Sequence, residues 1–150
     1  MIWRGIARRS PDCCSVATHH LLVIDDEPYI GRIVRMQFER GPYQVAVYTD
    51  ARAALDYLTE HPDVDIILMD LNMPGMSGLV ALEAMRQDPR FAETRVVVLT
   101  AAGQAGHVER ARELGALAVI TKPFSPKKLY REVATLLGDS PEPADLGGGG

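Results

Sequence analysis

The sequence predicts an α/β protein: a doubly wound, five-stranded parallel sheet covered on both faces by five helices. Three observations point to it. Short aliphatic runs alternate five times with segments whose apolar residues recur at helical spacing. Runs such as Ile66-Ile67-Leu68 and Val96-Val97-Val98-Leu99 show no polar alternation, as strands buried on both faces require. Finally, strands 1, 3, 4 and 5 end at acidic, hydroxyl or lysine residues. Right-handed crossovers and a sheet of this size favour the flavodoxin-like order 2-1-3-4-5, whose ligands sit at the carboxyl ends of the strands, at the switch point between strands 1 and 3.

Each element has a local reason. Leu21 to Ile24 is strand 1, ending at Asp25 and Asp26. Ile30, Ile33, Val34 and Phe38 share one face of a helix that Gly41-Pro42 stops. Val45 to Tyr48 is strand 2. Thr49 or Asp50 caps the next helix, whose stripe is Ala51, Ala54, Leu55 and Leu58, ending before Pro62. Asp65 to Met69 is strand 3, closed by Asp70. The loop Leu71 to Gly78 is rich in turn residues and leads into a helix from about Leu79, with Leu82 and Met85 inward, that stops before Pro89. Strand 4 is Val96 to Leu99, ending at Thr100. Gly103 and Gly106 bracket a loop into a helix from His107 to Leu114, and Gly115 stops it. Ala118 to Ile120 is strand 5, ending at Thr121 and Lys122. Ser125 and Pro126 are the cap and first position of a last helix, with Leu129, Val133, Leu136 and Leu137 inward until Gly138.

At 150 residues, with 47% hydrophobic and 24% charged residues, the chain suits one ordinary domain. We assign residues 21–138 to that domain, 1–20 to a flexible extension and 139–150 to a linker-like tail. The twelve residues after Gly138 are too few for an output module, so output is expected through a protein partner. No apolar run is long enough to span a bilayer. The net charge of −4, with no basic block, argues against direct nucleic-acid binding. Cys13 and Cys14 are adjacent and lack metal-site spacing, which points to a reducing, cytoplasmic setting. His19 and His20 read as a solvated stub before strand 1, and His61 and His107 as surface residues. Met69, Met73 and Met76 read as packing and loop residues, because thioethers do not suit a hard cation.

The chemistry gathers at one edge of the sheet. Asp25, Asp26, Asp70, Thr100 and Lys122 all end strands that point the same way. Three converging carboxylates repel one another, and burial would protonate at least one unless a cation compensates. Oxygen-only ligation, with no His or Cys at hand, selects Mg²⁺, with Mn²⁺ as a substitute. Backbone groups around Asn72 and Ala101 are placed to complete the cage. Lys122 and the Thr100 hydroxyl suit phosphoryl oxygens. Asp70 stands alone on its strand beside a turn-rich loop and is the candidate nucleophile, whereas paired Asp25 and Asp26 form a metal platform. Singly, each residue has an ordinary explanation, as a helix cap, a satisfied hydroxyl or a solvated lysine; their coincidence at successive strand ends does not. With one Mg²⁺ and Lys122, the three aspartates sum to a neutral site.

The segments Leu22-Val23-Ile24-Asp25-Asp26-Glu27, Ile67 to Gly78, Val98-Leu99-Thr100-Ala101 and Thr121-Lys122-Pro123-Phe124 together resemble the receiver domain of two-component response regulators, over about residues 21 to 138. The resemblance implies that Asp70 accepts a phosphoryl group from a histidine kinase or phosphotransfer protein. It implies Mg²⁺ on Asp26, Asp70 and the Asn72 carbonyl, with Asp25 acting through water. It further implies that Thr100 and Lys122 bind phosphoryl oxygens and that the Lys122–Pro123 bond is cis. One position departs. Where many receivers carry a switching aromatic three residues before the lysine, this chain has Val119, and Leu117-Ala118 replace an acidic pair. An apolar Leu117 to Ile120 stretch is then exposed for a partner or a homodimer, or else packs in the core. Two other functions compete: a phosphate-independent interaction module on the same scaffold, and a Mg²⁺-dependent aspartyl phosphohydrolase. The latter needs an acid two residues after the nucleophile, where this chain has Asn72. On this reading the chain is a self-phosphorylating acceptor and not a dedicated enzyme.

Overall fold

A computed structural model describes residues 19–138 apart from 74, 102 and 104. The readings made for residues 1–18 and 139–150, Cys13 and Cys14 included, and for Pro74, lie outside the described residues. In chain order the elements are β1 (His19–Ile24), α1 (Pro28–Phe38), β2 (Tyr43–Tyr48), α2 (Ala51–Glu60), β3 (Ile66–Asp70), α3 (Gly78–Gln87), β4 (Arg95–Ala101), α4 (Ala105–Glu113), β5 (Ala118–Lys122) and α5 (Pro126–Leu136). Every strand pairing is parallel and the order is β2-β1-β3-β4-β5, the flavodoxin-like arrangement.

The two-residue period of the strands splits the interior into two cores. Leu22, Ile24, Ile67, Met69, Val96 and Val98 face α2 and α3, where Ala54, Leu58, Ala81, Leu82 and Met85 meet them. Leu21, Val23, Ile66, Leu68, Val97 and Leu99 face α1 and α5, packing on Val34, Phe38, Leu129, Tyr130 and Val133. That double burial is why the central strands lack polar alternation. Helix starts follow the expected chemistry. Asp50, not Thr49, caps α2, accepting from the Arg52 and Ala53 amides. Ser125 accepts from the Lys128 amide, with Pro126 opening α5. Gly115 ends the α4 region at φ 89°, a conformation that glycine adopts without steric cost.

Several boundaries move outward, because ladder pairing continues past the aliphatic run that betrays burial. β1 starts at His19, paired with Tyr43, and the His19 amide donates to the Pro42 carbonyl at 2.8 Å. His19 and His20 are therefore strand residues and not a solvated stub. His20 is buried, its Nε2 2.6 Å from the Tyr57 hydroxyl and its Nδ1 3.4 Å from Asp63 Oδ2. His61 is half-buried, stacked on the Tyr57 ring at 4.0 Å, so it is not a free surface residue; His107 is exposed. Of the Leu117 to Ile120 stretch only Leu117 is exposed, while Ala118, Val119 and Ile120 are half-buried against the two cores.

Candidate functional site

At the carboxyl edge of the sheet, β1 delivers Asp25 and Asp26 and β3 delivers Asp70. One carboxylate oxygen from each lies within 4.8 Å of the other two. Asp25 and Asp70 are almost fully buried, and Asp26 is more open to solvent. The chain holds each inner carboxylate in place by itself. Asp25 Oδ1 accepts from the Glu27 amide at 2.9 Å, and Asp70 Oδ1 accepts from the Asn72 amide at 3.0 Å. The Asn72 N–H is thus spent on Asp70 and is not a free member of a cage.

Lys122 Nζ reaches across the pocket, 2.9 Å from Asp25 Oδ2 and 3.3 Å from Asp70 Oδ2. The β4–β5 ladder places it there by pairing Ala101 with Lys122 and Thr100 with Thr121. Thr100 is buried and its hydroxyl donates to the Ala101 carbonyl at 3.3 Å. The Lys122–Pro123 bond is cis, as the resemblance implied. Val119 pairs with Val98 and packs into the α2–α3 core.

Burial raises the Asp70 carboxyl above its ordinary range; the neighbouring Asp25 adds to this, and the Asn72 amide and Lys122 oppose it without cancelling it. Asp26 is raised by its partial burial and then by Asp70. For Lys122, burial would lower the ammonium, but Asp25 and Asp70 overcome it and the group is held firmly charged. Clustered carboxylates that resist ionisation, two of them sunk below the surface, are a donor set with excess negative charge. A hard divalent cation fits it.

Sequence reasoning missed one member. Glu27 was read only as the end of a motif, yet its Oε1 lies 3.3 Å from Lys122 Nζ. The lysine therefore faces three carboxylates, and the pocket carries one more negative charge than the neutral sum of three aspartates, Lys122 and Mg²⁺ allowed. The signal was adjacency: Glu27 follows Asp25-Asp26 and precedes the helix-opening Pro28.

The fold and the pocket together define a flavodoxin-like α/β domain with an acidic, lysine-bridged site at its switch point. The family model described as the response regulator receiver domain matches residues 21–134, and the chain belongs to that family. Among curated relatives, response regulator Rre1 of Synechocystis sp. is 34% identical over 85% of this chain and 55% of its own length. Chemotaxis protein CheY1 of Helicobacter pylori is 31% identical over 79% of this chain and 96% of its own. The phosphate regulon transcriptional regulatory protein PhoB of Escherichia coli is 34% identical over 78% of this chain and 51% of its own. The chain thus spans about half the length of Rre1 and PhoB. Among solved structures, chemotaxis protein CheY4 of Vibrio cholerae superimposes with a TM-score of 0.72 at 27% identity, covering 83% of this chain and 100% of that one. No helix among the described residues is long and apolar enough to cross a membrane.

Proposed function

We propose that the chain is a phosphoacceptor: Asp70 takes a phosphoryl group from the phosphohistidine of a histidine kinase or phosphotransfer protein. The observation that carries this reading is Asp70 itself. It is a buried carboxylate at a strand end, steered by its own Asn72 amide and bridged to Lys122, with two further aspartates within 4.8 Å. An Asp70 carboxylate oxygen attacks phosphorus in line. The O–P bond forms as the donor's P–N bond breaks, and that electron pair stays on the departing imidazole. Lys122 and Thr100, with the Ala101 amide, receive the phosphoryl oxygens, so the Thr100 hydroxyl gives up its Ala101 carbonyl bond. Asp26, Asp70 and the Asn72 carbonyl would hold Mg²⁺, with Asp25 acting through water, and the ion would neutralise charge on the transferring group. Positioning and charge are the protein's whole contribution, so the chain is an acceptor with self-catalysed transfer and hydrolysis and not a dedicated enzyme. The signal leaves through a protein partner in the cytoplasm.

Incubation with acetyl phosphate and Mg²⁺ tests this. Intact mass should rise by one phosphoryl group in an acid-stable, base-labile adduct, lost with EDTA and absent in Asp70→Asn. Equal labelling of Asp70→Asn would refute the proposal.

A further inference from the structure

The acceptor chemistry accounts for Asp25, Asp26, Asp70, Thr100 and Lys122, but not for Glu27. Glu27 is the residue before the first turn of α1, in the extended conformation of a cap, yet its side chain caps no amide. It turns instead to Lys122, with Oε1 3.3 Å from Nζ. Its backbone is anchored, because its amide donates to Asp25 Oδ1. The three carboxylates around the ammonium are unequal. Asp25 and Asp70 have side-chain exposures of 0% and 4%, whereas Glu27 is 58% exposed and Lys122 17%. Glu27 therefore sits on the solvent side of the lysine, where an incoming phosphoryl donor must approach.

We propose that Glu27 is a positioning residue that competes with the phosphoryl group for Lys122; this rests on the acceptor reading of Asp70. Before transfer, its carboxylate draws the ammonium toward solvent and repels an anionic donor. After transfer, Asp70 carries about −2 in place of −1 and Lys122 must serve the phosphoryl oxygens. Glu27 then pulls the same ammonium away from them. One exposed carboxylate thus slows loading and shortens the life of the acyl phosphate, both through Lys122.

An exposed ion pair of this kind modulates a rate by a small factor. For Glu27→Gln we expect acetyl phosphate to label Asp70 about two to five times faster and the adduct to decay about two to five times more slowly at low ionic strength. Both differences should shrink in high salt, as screening weakens the wild-type contact. Glu27→Asp separates the two contributions: it keeps the charge but shortens the arm by one methylene. If contact with Lys122 is what matters, its decay rate follows Glu27→Gln; decay like that of the wild type would overturn the Lys122 assignment. Unlabelled wild type would refute the acceptor reading. Wild type labelled on Asp70, with Glu27→Gln matching it in both rates, would refute the role of Glu27 alone.

Discussion

Gly78 opens α3 directly behind the strand end that carries Asp70. A Cβ built there would overlap the Asp70 carbonyl oxygen and stand 2.8 Å from Leu71 Cα and 2.9 Å from the Asp70 carbonyl carbon. All three neighbours are backbone atoms, so no rotamer change relieves the contact. Ordinary contact begins at 3.4 Å, so α3 or the end of β3 must shift by at least 0.6 Å. Overpacking costs roughly 1–3 kcal/mol, and the better helix propensity of alanine returns up to about 1 kcal/mol. Gly78→Ala should therefore lose about 1–2 kcal/mol in urea denaturation. The same shift moves the acceptor. Since a misplacement of about 1 Å can cost on the order of 100-fold in rate, labelling of Asp70 should slow at least about tenfold. Gly106→Ala is the matched control, because that glycine lies inside α4 with nothing within 4 Å of the added carbon. It should gain about 0.5–1 kcal/mol and label normally. If Gly78→Ala kept both the denaturation midpoint and the labelling rate of the wild type, the claim that close backbone approach at Gly78 sets the acceptor's position would fail.

Arg86 donates to the carbonyls of Leu114 (2.7 Å), Phe91 (3.1 Å) and Ala92 (3.2 Å), joining two turns that follow different helices. Arg86→Met should cost about 2–3 kcal/mol in urea denaturation, a figure discounted for the partial exposure of the carbonyls left behind, and an unchanged midpoint would contradict this account. The raised carboxyls of Asp70 and Asp26 make the metal-free fold bind protons more readily than the unfolded chain. Their contribution to stability is present below the unfolded carboxyl value of 3.8 and is lost as pH rises through their higher folded values. Without Mg²⁺, Asp70→Asn and Asp26→Asn should therefore each raise the denaturation midpoint at neutral pH; a fall in both variants would show that the pairing lost outweighs the repulsion relieved. Mg²⁺ at about 100 times its dissociation constant should add about 2.7 kcal/mol to the wild type and much less to either variant, as read from denaturation with and without EDTA.

The site was legible because each residue that composes it ends an aliphatic run. A parallel sheet brings all such ends to one edge whatever the loops do, so Asp25, Asp70, Thr100 and Lys122 needed no tertiary detail to be placed together. What escaped depended on directions. A glutamate before a helix-opening proline reads as a cap, and only the observed rotamer shows that Glu27 serves Lys122 instead. His20 escaped for another reason: its partners Tyr57 and Asp63 lie 37 and 43 residues away, beyond any local pattern. Strand ends were underestimated because hydrophobicity records burial, while pairing runs on through His19 and Lys122.

The grip of Arg86 on the turn after α4 has a mechanical side. Of the nine residues of α4 only Ala111, near its C-terminal end, is buried, while Gly103 ahead of its start has φ 89° and open space around it. A rod of about 13 Å fastened at one end is a lever, and its fulcrum lies at Leu114, where the guanidinium clasps the chain. The free end lies just beyond Thr100 and Ala101, where phosphorylation would act. A small push there is delivered at the long arm, so the sweep of α4 is greatest beside the site and dies away toward Gly115.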